Sequence, residues 1–177
     1  TIVDDGTGTK YDGTITSGTI NGSTTSLDND LSVAVTASGP VNEGSTYAMF
    51  TVDATVGQAL TLTLGNTATS ADTDATIAGF TPLQYSVDGG ATWTTYTWNG
   101  TTGNQPTVPA GGKVFVRVNV TSEADTTYEG AETFTLTAAI ATGAGKSSSG
   151  TATIVDDGTG TKYDGTITSG TINGSTT

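Results

Sequence analysis

The 177-residue chain contains no cysteine and no histidine. The first absence excludes disulfide staples and thiol chemistry; the two together remove most zinc sites, and the missing histidine removes every hydrolase of the Ser-His-Asp type. Aromatic residues make up only 7% of the chain, which leaves few large rings over from packing for an exposed sugar-stacking row. Positive charge is equally scarce: 5 Lys and Arg stand against 17 Asp and Glu, for a net charge of −12. That sign disfavours nucleic acid and anionic membrane surfaces as partners. No apolar run is long enough to span a bilayer, so no membrane insertion is expected, and no basic stretch followed by an apolar one marks an export signal. The glycines stand in turns without a following helix, so no P-loop or dinucleotide-binding loop is present. Nothing places two carboxylates across a cleft as a glycosidase needs. The expectation is a protein that is not an enzyme.

What the chain has instead is threonine, roughly a quarter of all residues against a typical soluble composition, and 25 glycines. β-Branched Thr favours strands and Gly is costly inside helices, so almost no helix is expected. Apolar alternation of period two runs through LSVAV (31–35), YAMFTV (47–52), ALTLTL (59–64), LQYSV (83–87), TWTTYTW (92–98), KVFVRVNV (113–120), ETFTLTA (132–138) and GTATIV (150–155). Gly, Pro, Asn and Asp separate these segments, as strand connections require. Asp88-Gly89-Gly90 reads as a hairpin turn. In KVFVRVNV the side chains of Val114, Val116 and Val118 share one face, and Phe115, Arg117 and Asn119 the other. Trp93, Trp98, Phe50, Phe80, Phe115 and Phe134 read as core or half-buried packing residues. Many short strands with no helical period predict an all-β fold, an antiparallel β-sandwich.

The first 25 residues, TIVDDGTGTKYDGTITSGTINGSTT, return unchanged at 153–177, so the period is 152 residues. Identity over that length points to tandem copies. Residues 1–25 then read as the end of a preceding repeat and an inter-repeat linker, 26–157 as the sandwich, and 158–177, a copy of 6–25, as the start of the next linker. Turn dipeptides at Asp12-Gly13 and Asn21-Gly22 leave two readings of that linker open, a flexible connection or a thin hairpin. Thr-x-Thr pairs such as Thr61 and Thr63 read as ordinary surface threonine of a strand protein.

Acidic residues gather where strands should end. Asp156 and Asp157 close the last strand, and Asp125, Glu129 and Glu132 precede or open its neighbour. Crowded carboxylates repel unless they are protonated or share a cation, and oxygen ligands on loops suit calcium. A solvated acidic surface is the alternative for each of them, and Glu132 has a third reading, as the partner of a basic side chain across the sheet.

VNEGSTYAMFTV (41–52), DTTYEGAETFTLT (125–137) and GTATIVDDG (150–158) together resemble the Calx-β motif, and most closely its relatives in the tandem repeats of large RTX-type bacterial surface adhesins. The resemblance covers roughly 41–158. It implies an immunoglobulin-like sandwich with a calcium (Ca2+) cluster at one end, held by Glu43, by Asp72 or Asp74, by Asp125, Glu129 and Glu132, and by Asp156 and Asp157. Ala131 stands where the motif usually has Asp, and Gly158 where it has a third terminal Asp, which implies fewer ions. It also implies an extracellular, cell-surface extender that carries an adhesive region, with adjacent repeats of the same chain as its partners. A carbohydrate- or cell-surface-binding module and head-to-tail self-association into a filament are the alternatives.

Overall fold

A computed structural model describes residues 18–20, 23–25, 31–66, 77–124, 127–128, 131–141, 146–155, 161–162, 171–172 and 175–176. The elements in chain order are β1 (Gly18–Ile20), β2 (Ser23–Thr25), β3 (Val33–Ala37), β4 (Val41–Asn42), β5 (Tyr47–Ala54), β6 (Leu60–Asn66), a single 3-10 turn at Ile77–Gly79, β7 (Leu83–Ser86), β8 (Thr94–Thr95) and β9 (Lys113–Asn119). They continue with β10 (Thr127–Tyr128), β11 (Ala131–Ile140), β12 (Ser147–Val155), β13 (Thr161–Lys162), β14 (Thr171–Ile172) and β15 (Ser175–Thr176). The expected scarcity of helix holds among the described residues.

Two sheets form the body: a five-stranded one in the order β3-β5-β9-β7-β8 and a four-stranded one in the order β4-β12-β11-β6. In immunoglobulin terms β3, β5, β9 and β7 take the places of an A-B-E-D sheet, and β12, β11 and β6 those of the facing G-F-C sheet. The first strand divides between them. β3 pairs antiparallel with β5, and β4 then crosses to run parallel to the end of β12, Val41 beside Ile154. The fold is an antiparallel β-sandwich with that one parallel edge in its body.

Alternation decides which side chains meet between the sheets. Val114, Val116 and Val118 are fully buried, while Phe115, Arg117 and Asn119 on the opposite face of β9 stay half-buried, as period two demands. From β5 come Ala48, Phe50 and Val52; from β11 come Phe134, Leu136 and Ala138. Phe134 is the hub. Its ring meets Phe50 edge-on at 5.7 Å and Phe80 at 4.8 Å, the T-shaped geometry that the aromatic quadrupole favours. Phe80 reaches this position from the segment after the 3-10 turn, so that turn closes the core at one end.

The segment TWTTYTW departs from expectation, because only Thr94 and Thr95 join a ladder. Beyond them Asn104 captures the backbone: its Oδ1 accepts from the N–H and the hydroxyl of Thr97 at 2.8 and 2.9 Å, and its Nδ2 donates to the Thr95 carbonyl at 2.9 Å. Asn99 Oδ1 accepts from the N–H groups of Thr101 and Thr102. Local Asn–backbone bonds of this kind compete with strand pairing. Gly103 completes the turn at φ 113°, where a Cβ would lie 2.3 Å from the Thr97 carbonyl oxygen. Tyr96, the next residue after β8, sends its hydroxyl across to accept the N–H of Leu62 at 3.0 Å, and Pro106 O accepts the N–H of Leu60 at 2.9 Å. Segment 96–108 thereby covers the outer edge of β6.

The expected hairpin at Asp88-Gly89-Gly90 forms, with Gly89 and Gly90 both at positive φ. Asp88 organises it. Its carboxylate accepts from the hydroxyl and N–H of Thr92 and from the Ser86 hydroxyl, while Ser86 Oγ accepts from the N–H of Gly90 at 2.8 Å. On the same outer surface the guanidinium of Arg117 lies between two rings, 4.2 Å from Tyr47 and 4.3 Å from Trp93, and its Nε donates to Gln84 Oε1 at 2.8 Å. Both tryptophans are half-buried, as expected.

Two predictions come from this packing. Phe134→Ala removes the ring on which Phe50 and Phe80 converge and is expected to cost about 3–5 kcal/mol, the usual range for emptying a buried aromatic site; a lowered urea midpoint with an unchanged slope checks it. The second concerns acid. The Thr92 hydroxyl, ahead of the Ser86 hydroxyl and the Thr92 N–H, lowers the Asp88 pKa from 3.8 to about 2. A depressed folded-state value means that this carboxylate stabilises the hairpin above its ordinary pKa and that the contribution fades as pH falls through about 2. An NMR titration of Asp88 should therefore show a midpoint near 2, and Asp88→Asn should make unfolding less pH-dependent in that window; an ordinary midpoint counts against the turn.

Candidate functional site

The strand registers fix where the chain enters and leaves the sandwich. Val33, the first residue of β3, lies opposite Ala54 at the end of β5, and Asp53 lies opposite Lys113, with which it forms an ion pair. At the other end Tyr47 faces Asn119, Leu83 faces Val118, and Ala131 faces Val155. The chain thus enters at one end and leaves at the opposite one, after the nine residues of β12 have carried it about 30 Å at about 3.3 Å per residue. The exit end is the acidic one.

Three glutamates are buried there: Glu43, Glu123 and Glu132, each 6–7% exposed. Glu43 follows β4, and its N–H donates to the Val155 carbonyl at 2.9 Å, which sets it beside the point where β12 passes into Asp156 and Asp157. Glu132 is the second residue of β11, opposite Ile154. Because side chains alternate along a strand, it falls on the core-facing side with Phe134. Glu123 sits in the turn after β9, with its N–H donating to the Val120 carbonyl at 3.1 Å and its Oε1 accepting from the Ser122 hydroxyl at 3.3 Å. Val120 in turn donates to the Thr46 carbonyl at 3.1 Å, so the Glu123 turn lies against the segment joining Glu43 to β5. The 3-10 turn packs on it as well, since a Cβ at Gly79 would come within 2.6 Å of Ser122 Oγ.

Of the metal ligands expected from sequence, Glu43 and Glu132 are therefore brought to one end. Asp72, Asp74, Asp125, Glu129, Asp156 and Asp157 lie outside the described residues. Among the described residues no three acidic groups stand close enough together to hold a metal ion. Burying carboxylates is costly unless they are bonded, and each of the three glutamates has interaction partners. Sequence reasoning missed Glu123. Its signal was available: it stands in TSEAD, directly after the most regular strand and two residues before Asp125.

As a donor set these residues offer carboxylate oxygen, and the chain has neither imidazole nor thiolate to add. That chemistry fits a hard cation such as calcium and does not fit zinc or copper. A sugar platform finds less support. One face of Trp93 is covered by Arg117, and on the same ring Cζ2 approaches Gly90 closely enough that a Cβ there would be 3.7 Å away.

Among the described residues no helix is long and apolar enough to cross a membrane. No protein-family model matches the chain, and no curated protein matches it. Among solved structures the chain is similar to the crystal structure of AggA, the major subunit of the aggregative adherence fimbriae type I of Escherichia coli, at 18% identity and a TM-score of 0.37. The match covers 72% of this chain and 96% of that one. A match of that identity and TM-score carries neither a fold assignment nor a function across.

Proposed function

We propose that the chain is a repeat unit of an extracellular bacterial surface adhesin, a non-enzymatic extender whose sandwiches are strung end to end and stabilised by calcium. The observation that carries this reading is the placement of entry and exit at opposite ends of a body whose sequence restarts at a period of 152 residues. A domain that is entered and left at the same end folds a tandem array back on itself; one traversed from end to end adds its length to the array with each copy. Near-identical copies suit a spacer, which needs length and number, better than a receptor site, which one copy can supply.

Calcium belongs to the same reading. Glu43 and Glu132 at the exit end, with Asp72 or Asp74, Asp125, Glu129, Asp156 and Asp157, are the residues that would hold it. When bound, the ion supplies positive charge to an array in which each whole period carries 14 acidic and 4 basic residues. The chain's own contribution is to hold Glu43, just after β4, and Glu132, at the start of β11, on either side of the end of β12. In the absence of the cation their repulsion destabilises the joint between beads, and a Gly/Thr/Ser-rich connection lets them swing.

A ligand that binds only the folded state raises the melting temperature with the logarithm of its free concentration. Melts in chelator and in millimolar calcium are expected to differ by several degrees, and Glu132→Gln with Asp157→Asn to remove most of the difference; identical melts and no heat on titration exclude the ion. The extender reading has its own measurement. A chain of several periods should show by small-angle scattering a maximum dimension that grows in proportion to the number of copies, and greater stiffness in calcium than in chelator. A compact multi-period chain would overturn the end-to-end arrangement whatever the melts show.

A further inference from the structure

Resting on the tandem-repeat part of that reading, we infer that each repeat is fastened to the next by a strand that the following repeat contributes: the lead segment of one copy is a built-in partner for β10 of the copy before it. The observation is a parallel pairing. β13 runs beside β10, with Thr127 opposite Thr161 and Tyr128 opposite Lys162. β10 belongs to the same repeat as the sandwich, immediately ahead of β11, although it joins neither of the two body sheets. β13 does not belong to that repeat, because Thr161 and Lys162 are the second copy of Thr9 and Lys10. Backbone pairing of this kind is strand addition, in which main-chain hydrogen bonds supply the affinity.

The repeat makes the donor general. Every copy begins with the same residues, so every copy carries this donor strand ahead of its own sandwich and an acceptor, β10, at its exit end. The hairpin after the donor is also the same in both places. Ile20 pairs with Ser23 and Thr19 with Thr24 in the first copy; Ile172 pairs with Ser175 and Thr171 with Thr176 in the second. The part of the linker around Asn21-Gly22 therefore pairs as a thin hairpin in both copies, in the same register, while the part around Asp12-Gly13 lies outside the described residues. A copy consequently has two hands of one joint: a strand-and-hairpin lead that reaches back, and a receiving strand that waits for the lead of its successor. The location matters, because β10 ends shortly before Ala131, which faces Val155. The fastening therefore lies at the acidic exit end.

Disulfide trapping in the full 177-residue chain tests this on a background with no cysteine of its own. Neighbouring strands lie about 4.8 Å apart, inside the Cα separation that a disulfide accepts. The pair Thr127→Cys with Thr161→Cys is expected to close within one molecule under mild oxidation with diamide, in yield at least tenfold above the control. That control is Thr127→Cys with Thr9→Cys, which places the same residue, in the same local sequence, in the other copy. Equal yields from the two pairs, disulfides formed only between molecules, or no closure of the first pair would each overturn the inference. A second measurement covers the case in which the cysteine variants fold poorly. Hydrogen exchange at Thr127 and Tyr128 should quicken in Lys162→Pro, which lacks the N–H of the added strand, while β5 and β9 amides keep their protection; unchanged exchange at β10 counts against the strap. Trapping on a single chain is independent of whether a long array is stiff or binds calcium, so failure here leaves the extender reading standing, and failure of the scattering experiment leaves the strap standing.

Discussion

The fold depends on the meeting of three rings between two sheets. With 33% hydrophobic residues and no cysteine, the chain has little apolar surface to spare and no covalent staple to make up a shortfall, so nearly every inward position must be filled by something that packs. Phe134 is contacted by Phe50 from the facing sheet and by Phe80 from the segment below the 3-10 turn. Around them Val52, Val114, Val116, Val118, Leu60, Leu136 and Ile154 are all at or near zero exposure. Stiff β-branched side chains lose little freedom on burial in a strand, which makes valine an economical choice for such a core. The same scarcity explains the surface. Threonine serves on the outer faces because it favours strands without adding hydrophobic area that would draw other molecules.

Much of this was legible in the sequence because period two is a geometric requirement and not a statistical tendency. β5, β6, β7, β9, β11 and β12 fall where alternation put them, and the division of β9 into a buried valine row and an outer Phe115–Arg117–Asn119 row follows from the pleat alone. What escaped was set by partners remote in sequence. Val41 and Asn42 form a strand only because the end of β12 is beside them, and two residues carry no period. TWTTYTW alternates well, yet Asn99 and Asn104 capture its backbone through side-chain bonds whose geometry is invisible in a pattern of apolar and polar letters. Glu43 and Glu132 were picked out by a family motif, and they do reach the same end of the sandwich; Glu123 lies outside that motif and was passed over although it is equally buried. The remaining expected ligands fall beyond the described residues.

Arg117 shows how a single charge is managed in an acidic chain. It is the chain's one arginine, and it does not sit opposite a carboxylate in the ladder. Its neighbours across the strands are Met49 and Gln84. Held between Tyr47 and Trp93, the guanidinium gains attraction from two ring faces and ties β5, β9 and the β7–β8 hairpin into one surface. A lysine at this position would lose the planar stacking and the directed bond to Gln84. Trp93 is thereby committed to the fold on the ring face that Arg117 covers.

The bonds from Leu62 to the Tyr96 hydroxyl and from Leu60 to Pro106 have a consequence that reaches beyond one domain. In the proposed tandem array, neighbouring copies of the same sequence would be held at high local concentration, the circumstance in which repeat proteins misassemble by exchanging strands with the wrong copy. An open β6 edge would offer the same ladder of donors and acceptors on every bead, and any two beads of an array could zip together through it. Segment 96–108 occupies the Leu60 and Leu62 donors of that edge from within the domain. The loop that broke the expected strand thus blunts one edge of its own domain.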